Sequence, residues 1–172
     1  MRSTPPAVDT DTRRALRGWQ AGQPRDRLAH LVKDTARAFD RALQARLAAH
    51  DVSIGHWLFL RVLWKADGVT QRELAREAGV MDSTAFVALR AMAARGYIVR
   101  RPVAGDRRKK GVFLTARGRA LERKLVPLAV AVNAIAVRGI APRRAATLRE
   151  TLIALLANLA ADEARRTGES GD

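Results

Sequence analysis

Apolar residues recur at three- and four-residue steps over much of the chain, which predicts a mainly helical protein. This spacing begins at Asp26 and continues through Leu47, and Asp51 and Ser53 then interrupt it. The following stretch, IGHWLFLRVLWKADG, is more apolar. It predicts a second, more buried helix that ends at Gly68, because glycine commonly follows the last turn of a helix.

Two short helices with a tight turn between them are predicted next. Thr70 and Glu73 have the spacing of a capping box, which starts the helix QRELAREAG, and Gly79 stops it. After the turn, DSTAFVALRAMAARG predicts another helix. Its inward face is formed by Ala85, Leu89 and Met92. Two helices in this order are typical of a helix-turn-helix.

A β-hairpin is predicted after the helix-turn-helix. The stretches YIVRRPV and GVFLT are rich in β-forming residues and have the length of strands. We expect the loop between them to contain four consecutive cations, Arg107 to Lys110. A hairpin in this position is a wing, so residues 53–114 are predicted to form a winged helix-turn-helix domain that binds DNA.

Long helices are predicted on both sides of that domain, over residues 25–52 and 115–166. The second region contains a helix from Thr115 to about Val137, with a kink at Pro127, and then a final helix. The final helix has leucines at heptad-like steps, namely Leu148, Leu152, Leu155 and Leu159. The winged domain is too small to bury such helices, so we expect them to be dimerisation helices.

The two ends of the chain carry little hydrophobic periodicity. Residues 1–24 mix Pro, Thr, Asp and Gly, and they are predicted to form a flexible arm in which Trp19 indicates a docking point. Residues 167–172 are predicted to be a disordered tail.

Charge narrows the class of partner. The formal net charge is +15 over 172 residues and the pI is about 11.6, which favours a polyanionic partner, nucleic acid before an anionic membrane. The chain has no cysteine, which excludes disulfides and cysteine metal sites. No apolar run approaches the roughly 18 to 20 residues of a membrane span, and no signal segment opens the chain. We therefore expect a cytoplasmic protein with no membrane contact.

Catalysis and metal binding are not predicted. His30, His50 and His56 have no metal-ligand spacing with one another or with carboxylates. A nucleophile–base pair, a glycine-rich phosphate loop and a carboxylate pair are also missing from the sequence. The protein is therefore predicted to be neither an enzyme nor dependent on a cofactor.

The predicted wing carries a motif: Asp106-x-Arg108, five intervening residues, and then Leu114-Thr115-x-x-Gly118. With this order of helices around it, the chain resembles the MarR (multiple antibiotic resistance regulator) family from about residue 26 to residue 165. The resemblance implies a mainly α, six-helix protomer of the α+β winged-helix class with a two-stranded β-wing. It also implies an interlaced homodimer that is usually a repressor relieved by a small ligand.

Candidate DNA contacts follow from the same arrangement, because the resemblance places helix 82–95 in the major groove. Short hydroxyl side chains on its outward face can address bases or phosphates, apolar ones can meet a thymine methyl group, and Arg90 can reach guanine. Phe86 and Val87 stand where a polar pair is common in that family. The predicted DNA-binding residues are Gln71, Arg72, Ser83, Thr84, Phe86, Val87, Arg90, Arg107, Arg108, Lys109 and Lys110.

Asp106 has two interpretations. It precedes Arg108 by two residues, so its carboxylate can accept hydrogen bonds from that guanidinium and hold it in place, and the resemblance implies the same orienting role. In the alternative, Asp106 starts a loop turn and offsets one positive charge.

The stretch HDVSIGHW, residues 50–57, is a candidate ligand pocket, because the resemblance places an inducer pocket near the junction of the first two helices. The four residues His50, Ser53, His56 and Trp57 offer hydrogen-bond donors and an aromatic wall for an aromatic or heteroaromatic acid. In the alternative interpretation, Ser53 caps the second helix and the other side chains pack in the core.

The sequence therefore predicts a DNA-binding transcriptional repressor that recognises a near-palindromic operator and is released by a small-molecule inducer. Two alternatives stay open. One is a ligand-independent architectural nucleic-acid-binding protein driven by charge, and the other is an interaction adaptor that uses the final helices.

Overall fold

The computed structural model describes residues 10–22, 28–103 and 106–168, and for residues 10 and 106–108 it describes the backbone alone. The chain divides into two compact units, Met1–Val132 and Asn133–Asp172. Along the described chain the elements are α1 (Thr10–Gln20), α2 (Leu28–Leu47), α3 (Ile54–Leu63), α4 (Gln71–Ala78), α5 (Asp82–Ala94), β1 (Ile98–Val103), β2 (Asp106–Leu114), α6 (Ala116–Ala136) and α7 (Pro142–Gly168).

The core of the first unit is built around α3. Phe59, Leu60 and Leu63 of this helix are at most 1% exposed. They belong to one cluster of apolar side chains that also includes residues of α2, α4, α5, both strands and α6. The predicted inward face of α5 is confirmed, because Ala85, Leu89 and Met92 are each 0% exposed and belong to that cluster.

The chain turns sharply between α2 and α3. A single 3-10 turn, Ala48–His50, ends at Asp51, which adopts a left-handed conformation with a φ of 59°. The hydroxyl of Ser53 then accepts a hydrogen bond of 3.1 Å from the backbone N–H of His56, so Ser53 caps α3 as one of the two interpretations predicted.

α3 ends at Leu63, earlier than the predicted end at Gly68. Residues 64–67 instead turn the chain so that the next three residues can join the sheet. The N–H of Gly68 donates to the carbonyl of Val112 at 2.9 Å, and the N–H of Val112 donates to the carbonyl of Val69 at 2.8 Å. Tertiary pairing with the wing therefore ends the helix before the glycine does.

α4 and α5 form the predicted helix-turn-helix. Both hydrogen bonds of the capping box are present between Thr70 and Glu73, and Gly79 ends α4 in the left-handed conformation with a φ of 68°. Only glycine adopts this conformation without steric cost, so the turn between the helices depends on it.

β1 and β2 form the antiparallel wing, but the predicted position of the cationic run is wrong. Arg107 to Lys110 lie within β2 rather than in a loop, because pairing continues from Ile98↔Leu114 to Pro102↔Lys110 and then, after an irregularity, to Val103↔Asp106. The apolar stretch GVFLT predicts only the inner half of β2. The outer half of this strand is charged, so its length could not be predicted from apolar content.

The beginning of α6 is fixed by the motif Leu114-Thr115-x-x-Gly118. The Thr115 hydroxyl accepts a hydrogen bond of 3.0 Å from the N–H of Gly118, and the indole of Trp64 donates to the Gly118 carbonyl at 3.0 Å. A Cβ atom at position 118 would overlap the carbonyl of Tyr97, so only glycine fits here. α6 then continues through Pro127 to Ala136.

Asp67 ties the base of the wing to α6. Its carboxylate accepts one hydrogen bond of 2.7 Å from the backbone N–H of Leu114 and one of 2.7 Å from the guanidinium of Arg119. These bonds fix where the wing leaves the helical core.

The predicted flexible arm, residues 1–24, is wrong in part, because residues 10–20 form α1. Trp19 donates a hydrogen bond of 3.1 Å from its indole N–H to Asp34 of α2, and Arg41 of α2 donates one of 3.0 Å to the Thr12 hydroxyl. Both contacts are polar. Leu16 and Trp19 are the only large apolar residues of α1, so hydrophobic periodicity does not predict this helix. Residues 1–9 and 23–24 lie outside the described residues.

In the second unit, α7 begins at Pro142, where the missing N–H of proline costs no helical hydrogen bond. The helix reaches Gly168, so the predicted disordered tail is wrong for residues 167 and 168. The Thr167 hydroxyl donates to the carbonyl of Glu163 at 3.0 Å in this last turn. Residues 169–172 lie outside the described part of the chain.

Among the described residues, no helix has the combination of length and apolar character needed to span a bilayer.

Candidate nucleic-acid interface

α5 presents one side of its surface to solvent over its first three turns. Ser83, Thr84, Phe86, Val87 and Arg90 are exposed, as the sequence predicted for the outward face. That these side chains contact DNA stays a prediction.

This face is unusually apolar for a solvent-exposed surface. On this face Val87 is 68% exposed and Phe86 is 49% exposed, and Met81, at the N-cap before the helix, is 78% exposed. Large apolar side chains grouped on a surface commonly mark a contact site. Phe86 and Val87 are among the residues that the sequence predicts to contact DNA.

Arg100 of β1 connects the wing to the helix-turn-helix, and sequence reasoning missed it. Its guanidinium donates a hydrogen bond of 2.9 Å to Oε1 of Gln71 and lies 5.8 Å from the centroid of the Phe86 ring. The signal was present in the alternation of β1: Arg100 lies two residues after the buried Ile98 and pairs with the buried Val112. Its side chain therefore leaves the strand toward the helices.

The predicted wing cations are only partly described. Lys109 and Lys110 are exposed on β2, whereas the side chains of Asp106, Arg107 and Arg108 lie outside the described residues. Arg101 adds a further exposed cation on β1, and its guanidinium stacks 4.0 Å from the centroid of the Phe113 ring. Stacking on an aromatic ring restricts the guanidinium and keeps its charge at the surface.

A cleft of about 630 Å³ separates α4 from the wing, and Arg72, Arg76, Asp82 and Lys109 are among its lining residues. Glu73 also lines this cleft. Hydrogen bonds from the Thr70 hydroxyl and the Thr70 backbone lower the pKa of Glu73, and the charges of Arg76 and Lys109 lower it further. The carboxylate is therefore ionised and occupied by the helix cap, while the arginines and Lys109 give the cleft its cationic character.

Of the four predicted ligand-pocket residues, His50 lines a described cleft and the other three have packing or capping roles. Ser53 caps α3, Trp57 is 5% exposed and packs edge-on against Trp64 at 5.6 Å, and His56 is 7% exposed. His50 is half-buried and lines a separate cleft. The alternative interpretation of this stretch thus describes Ser53, His56 and Trp57.

His56 lies edge-on to the Tyr97 ring, with 6.3 Å between the ring centroids. Its Nδ1 atom has no hydrogen-bond partner among the residues that the structure describes. Burial lowers the pKa of His56, and the positive charge of Arg95 lowers it further, although Asp51 acts in the opposite direction. The imidazole is therefore held in its neutral form within the core.

The cleft beside His50 has a volume of about 420 Å³ and lies between the 3-10 turn and α6. Arg117 and Lys124 of α6 line it together with Asp51. Sequence reasoning missed these two cations, although their spacing of seven residues places them on one face of a helix. Their charge suits a carboxylate or another anion.

Within the described residues, no group of three His, Asp or Glu side chains has the arrangement needed to hold a metal ion.

Comparison with known proteins identifies the family to which the chain is similar. Residues 50–109 match the model of the MarR family. Over 118 residues the chain is 30% identical to the HTH-type transcriptional regulator TtmR of Methylorubrum extorquens (strain PA1). That alignment covers 69% of this chain and spans 60% of the length of this curated relative.

Solved structures share the fold. The transcriptional regulator PA3341 is 33% identical, with a TM-score of 0.69, and the match covers 76% of this chain and 96% of that one. CouR from Rhodococcus jostii RHA1, bound to p-coumaroyl-CoA, is 24% identical, with a TM-score of 0.67 and coverage of 76% and 92%. With a helix-turn-helix, a two-stranded wing and these matches, the chain belongs to the MarR family of transcriptional regulators.

Proposed function

We propose that two copies of this chain form a homodimer that binds a near-palindromic DNA operator and represses transcription until a small ligand releases it. The observation that carries the DNA proposal is the single surface formed by the exposed side of α5 and the cationic wing, which Arg100 joins through Gln71 and Phe86.

The physical basis is complementarity with a duplex. A helix fits the major groove and presents its first turns to the base edges. A neighbouring wing then lies beside the phosphates and the narrow minor groove, where Lys109, Lys110 and their neighbours release counterions on binding. The net charge of +15 strengthens this attraction over the whole molecule.

Competition with random DNA at moderate salt tests this proposal against the architectural alternative. A repressor stays bound to its operator when random duplex is added, although the random duplex displaces it from other sequences. An architectural protein is displaced from all sequences equally. Arg90→Ala should change the preferred base, at a cost of about 1–3 kcal/mol if Arg90 makes a bidentate guanine contact. Arg72→Ala, the matched control on α4, should weaken all sequences alike and lower the salt slope by about one.

The homodimer is supported by apolar residues that each unit leaves exposed. On α2, Leu28 is 54% and Leu31 is 41% exposed, and on α7, Leu148 is 54% and Leu152 is 38% exposed. Burying them against a second copy supplies the stabilisation that a single chain lacks.

Leu152→Asp tests this interface, because it places a charge in an apolar contact at a cost of several kcal/mol. We expect a monomer or an unfolded chain in sedimentation analysis. Ala157→Asp adds the same charge on the opposite side of α7 and should leave a dimer. A well-folded, DNA-binding dimer from Leu152→Asp contradicts the proposed interface.

The ligand proposal places an aromatic acid, or a related compound such as its coenzyme A thioester, in the cleft beside His50. His50, Arg117 and Lys124 supply donors and positive charge there, and the related fold of CouR is bound to p-coumaroyl-CoA. A ligand that prefers the DNA-incompetent dimer weakens DNA binding by its differential affinity for the two states.

A thermal-shift screen of aromatic acids and their thioesters tests this proposal, since a bound ligand raises the melting temperature. A hit should also weaken operator binding. Lys124→Ala should reduce both responses, and Lys65→Ala, which removes a lysine outside this cleft, should not. Equal responses from the two variants contradict this location of the ligand.

A further inference from the structure

We propose that the first turns of α5 recognise the operator through the 5-methyl groups of thymines, which contact an apolar patch formed by Phe86 and Val87. This inference rests on the proposed function and specifies the base chemistry that the proposed DNA surface reads.

The patch is exposed to an extent that the fold itself does not require. Val87 is 68% exposed, whereas the neighbouring apolar residues of α5, Ala85 and Leu89, are both 0% exposed. Phe86 keeps 49% of its surface accessible although the guanidinium of Arg100 lies over its ring. The exposed apolar surface is thus directed away from the core of this unit.

Cations on α5 and the wing accompany the patch, and they favour DNA as its occupant. Arg90 lies further along the same side of α5, Arg100 contacts Phe86, and the exposed Lys109 and Lys110 lie on the wing. A second protein chain with an apolar face has no need for such a cationic border. The major groove of DNA combines phosphates at its edges with apolar methyl groups on its floor, and those methyl groups belong to thymine.

The remaining side chains of α5 offer few alternatives for reading bases. Bidentate contacts to guanine or adenine require Arg, Lys, Asn or Gln. Residues 82–89 contain none of them, and Arg90, in the third turn, is the one such side chain of α5. Gln71 of α4 has a side-chain amide, but its carbonyl oxygen already accepts the hydrogen bond from Arg100. The first two turns of α5 are left with Asp82, two hydroxyls and the apolar patch.

Replacement of thymine by deoxyuridine tests the inference, because it removes the methyl group and keeps the base pair. The operator is first selected from random duplexes with the full chain, and each thymine of a half-site is then replaced singly. We expect one or more positions at which Kd rises about fourfold, the factor for burying one methyl-sized group.

The matched variants assign that effect to the patch. Phe86→Ala and Val87→Ala replace exposed side chains, and at least one of the two variants should abolish the sensitivity to uracil at its own position. Val130→Ala is the control: Val130 is 62% exposed on α6, and its loss should leave the thymine-to-uracil ratio of Kd unchanged even if overall affinity falls.

Different results would contradict the methyl inference and the proposed function. Selective binding to an operator in which every uracil is tolerated, or which has no thymine in its half-sites, overturns the methyl inference and leaves the proposed function intact. Uracil sensitivity that persists unchanged in both patch variants also overturns the methyl inference. Selection that enriches no sequence at all overturns the proposed function and the inference together.

Discussion

Arg100 donates a hydrogen bond of 2.9 Å to Gln71, and this bond joins the wing to the first residue of α4. The neighbouring Arg101 is equally exposed on the same strand, but its guanidinium stacks on Phe113 instead. The two adjacent arginines therefore make different contacts. Arg100 fixes two side chains of the proposed DNA surface, whereas Arg101 adds charge beside it.

This difference predicts unequal effects of two matched substitutions. Arg100→Ala frees Gln71 and Phe86, so we expect weaker operator binding, by about 1–2 kcal/mol, together with an altered base preference. Arg101→Ala should weaken operator and random DNA by the same factor. Fluorescence anisotropy on a panel of single-base operator variants measures both, and identical profiles for the two variants contradict the positioning role of Arg100.

Gly118 should be among the least replaceable residues of the chain. A Cβ atom there meets the Tyr97 carbonyl and the Leu114 side chain, so Gly118→Ala should reduce the free energy of unfolding by about 1–3 kcal/mol or more. Gly55→Ala is the control in α3, where the new Cβ meets only the Ser53 hydroxyl at 3.8 Å. It should be neutral or stabilising by up to about 1 kcal/mol, because alanine favours helices. Urea denaturation measures both changes, and equal stability of the two variants contradicts this account.

The sequence predicted those elements whose own residues determine them. The capping box at Thr70, the glycine at position 79 and the buried face of α5 are local signals, and all three appear in the structure as predicted. The MarR resemblance is likewise confirmed by the fold and by the family match.

The features that were missed depend on contacts between distant residues. α1 is held by polar contacts to α2, the end of α3 is set by pairing with Val112, and the length of β2 is set by its partner strand. The candidate site shows the same division. Outward positions of α5 followed from helical periodicity, whereas the bond between Arg100 and Gln71 spans 29 residues and left only a weak signal in the strand alternation.

His56 should make the stability of the fold sensitive to pH. Burial and Arg95 lower its pKa below the ordinary value of about 6.5, so the unfolded chain binds a proton more readily than the folded chain. The free energy of unfolding should therefore fall as the pH decreases through about 6.5, until the pH lies below the lowered pKa of the folded state. Above that window, the imidazole is neutral in both states and this dependence disappears.

Urea denaturation at pH 7.5 and pH 5.5 measures this effect. His56→Gln should reduce the difference in stability between the two pH values, whatever it does to the absolute stability. His30→Gln, which replaces an exposed histidine of α2, serves as the control and should retain the difference found in the wild type. An undiminished difference in His56→Gln assigns the pH dependence to other groups.

The run from Asp106 to Lys110 gives the last prediction, which concerns the wing. Adjacent cations repel one another in the free protein, but the repulsion is relieved when DNA phosphates replace it with attraction and counterions are released. Asp106 lies two residues before Arg108, and we predict that it orients this guanidinium by accepting its hydrogen bonds.

If Asp106 were only a negative charge near DNA, Asp106→Ala would tighten the complex. If it orients Arg108, the same substitution should weaken binding, by at most about 1.5–3 kcal/mol, and the double variant Asp106→Ala/Arg108→Ala should bind no more weakly than Arg108→Ala alone. Titration of the operator at one fixed salt concentration distinguishes the two signs, and tighter binding by Asp106→Ala would end the orienting hypothesis.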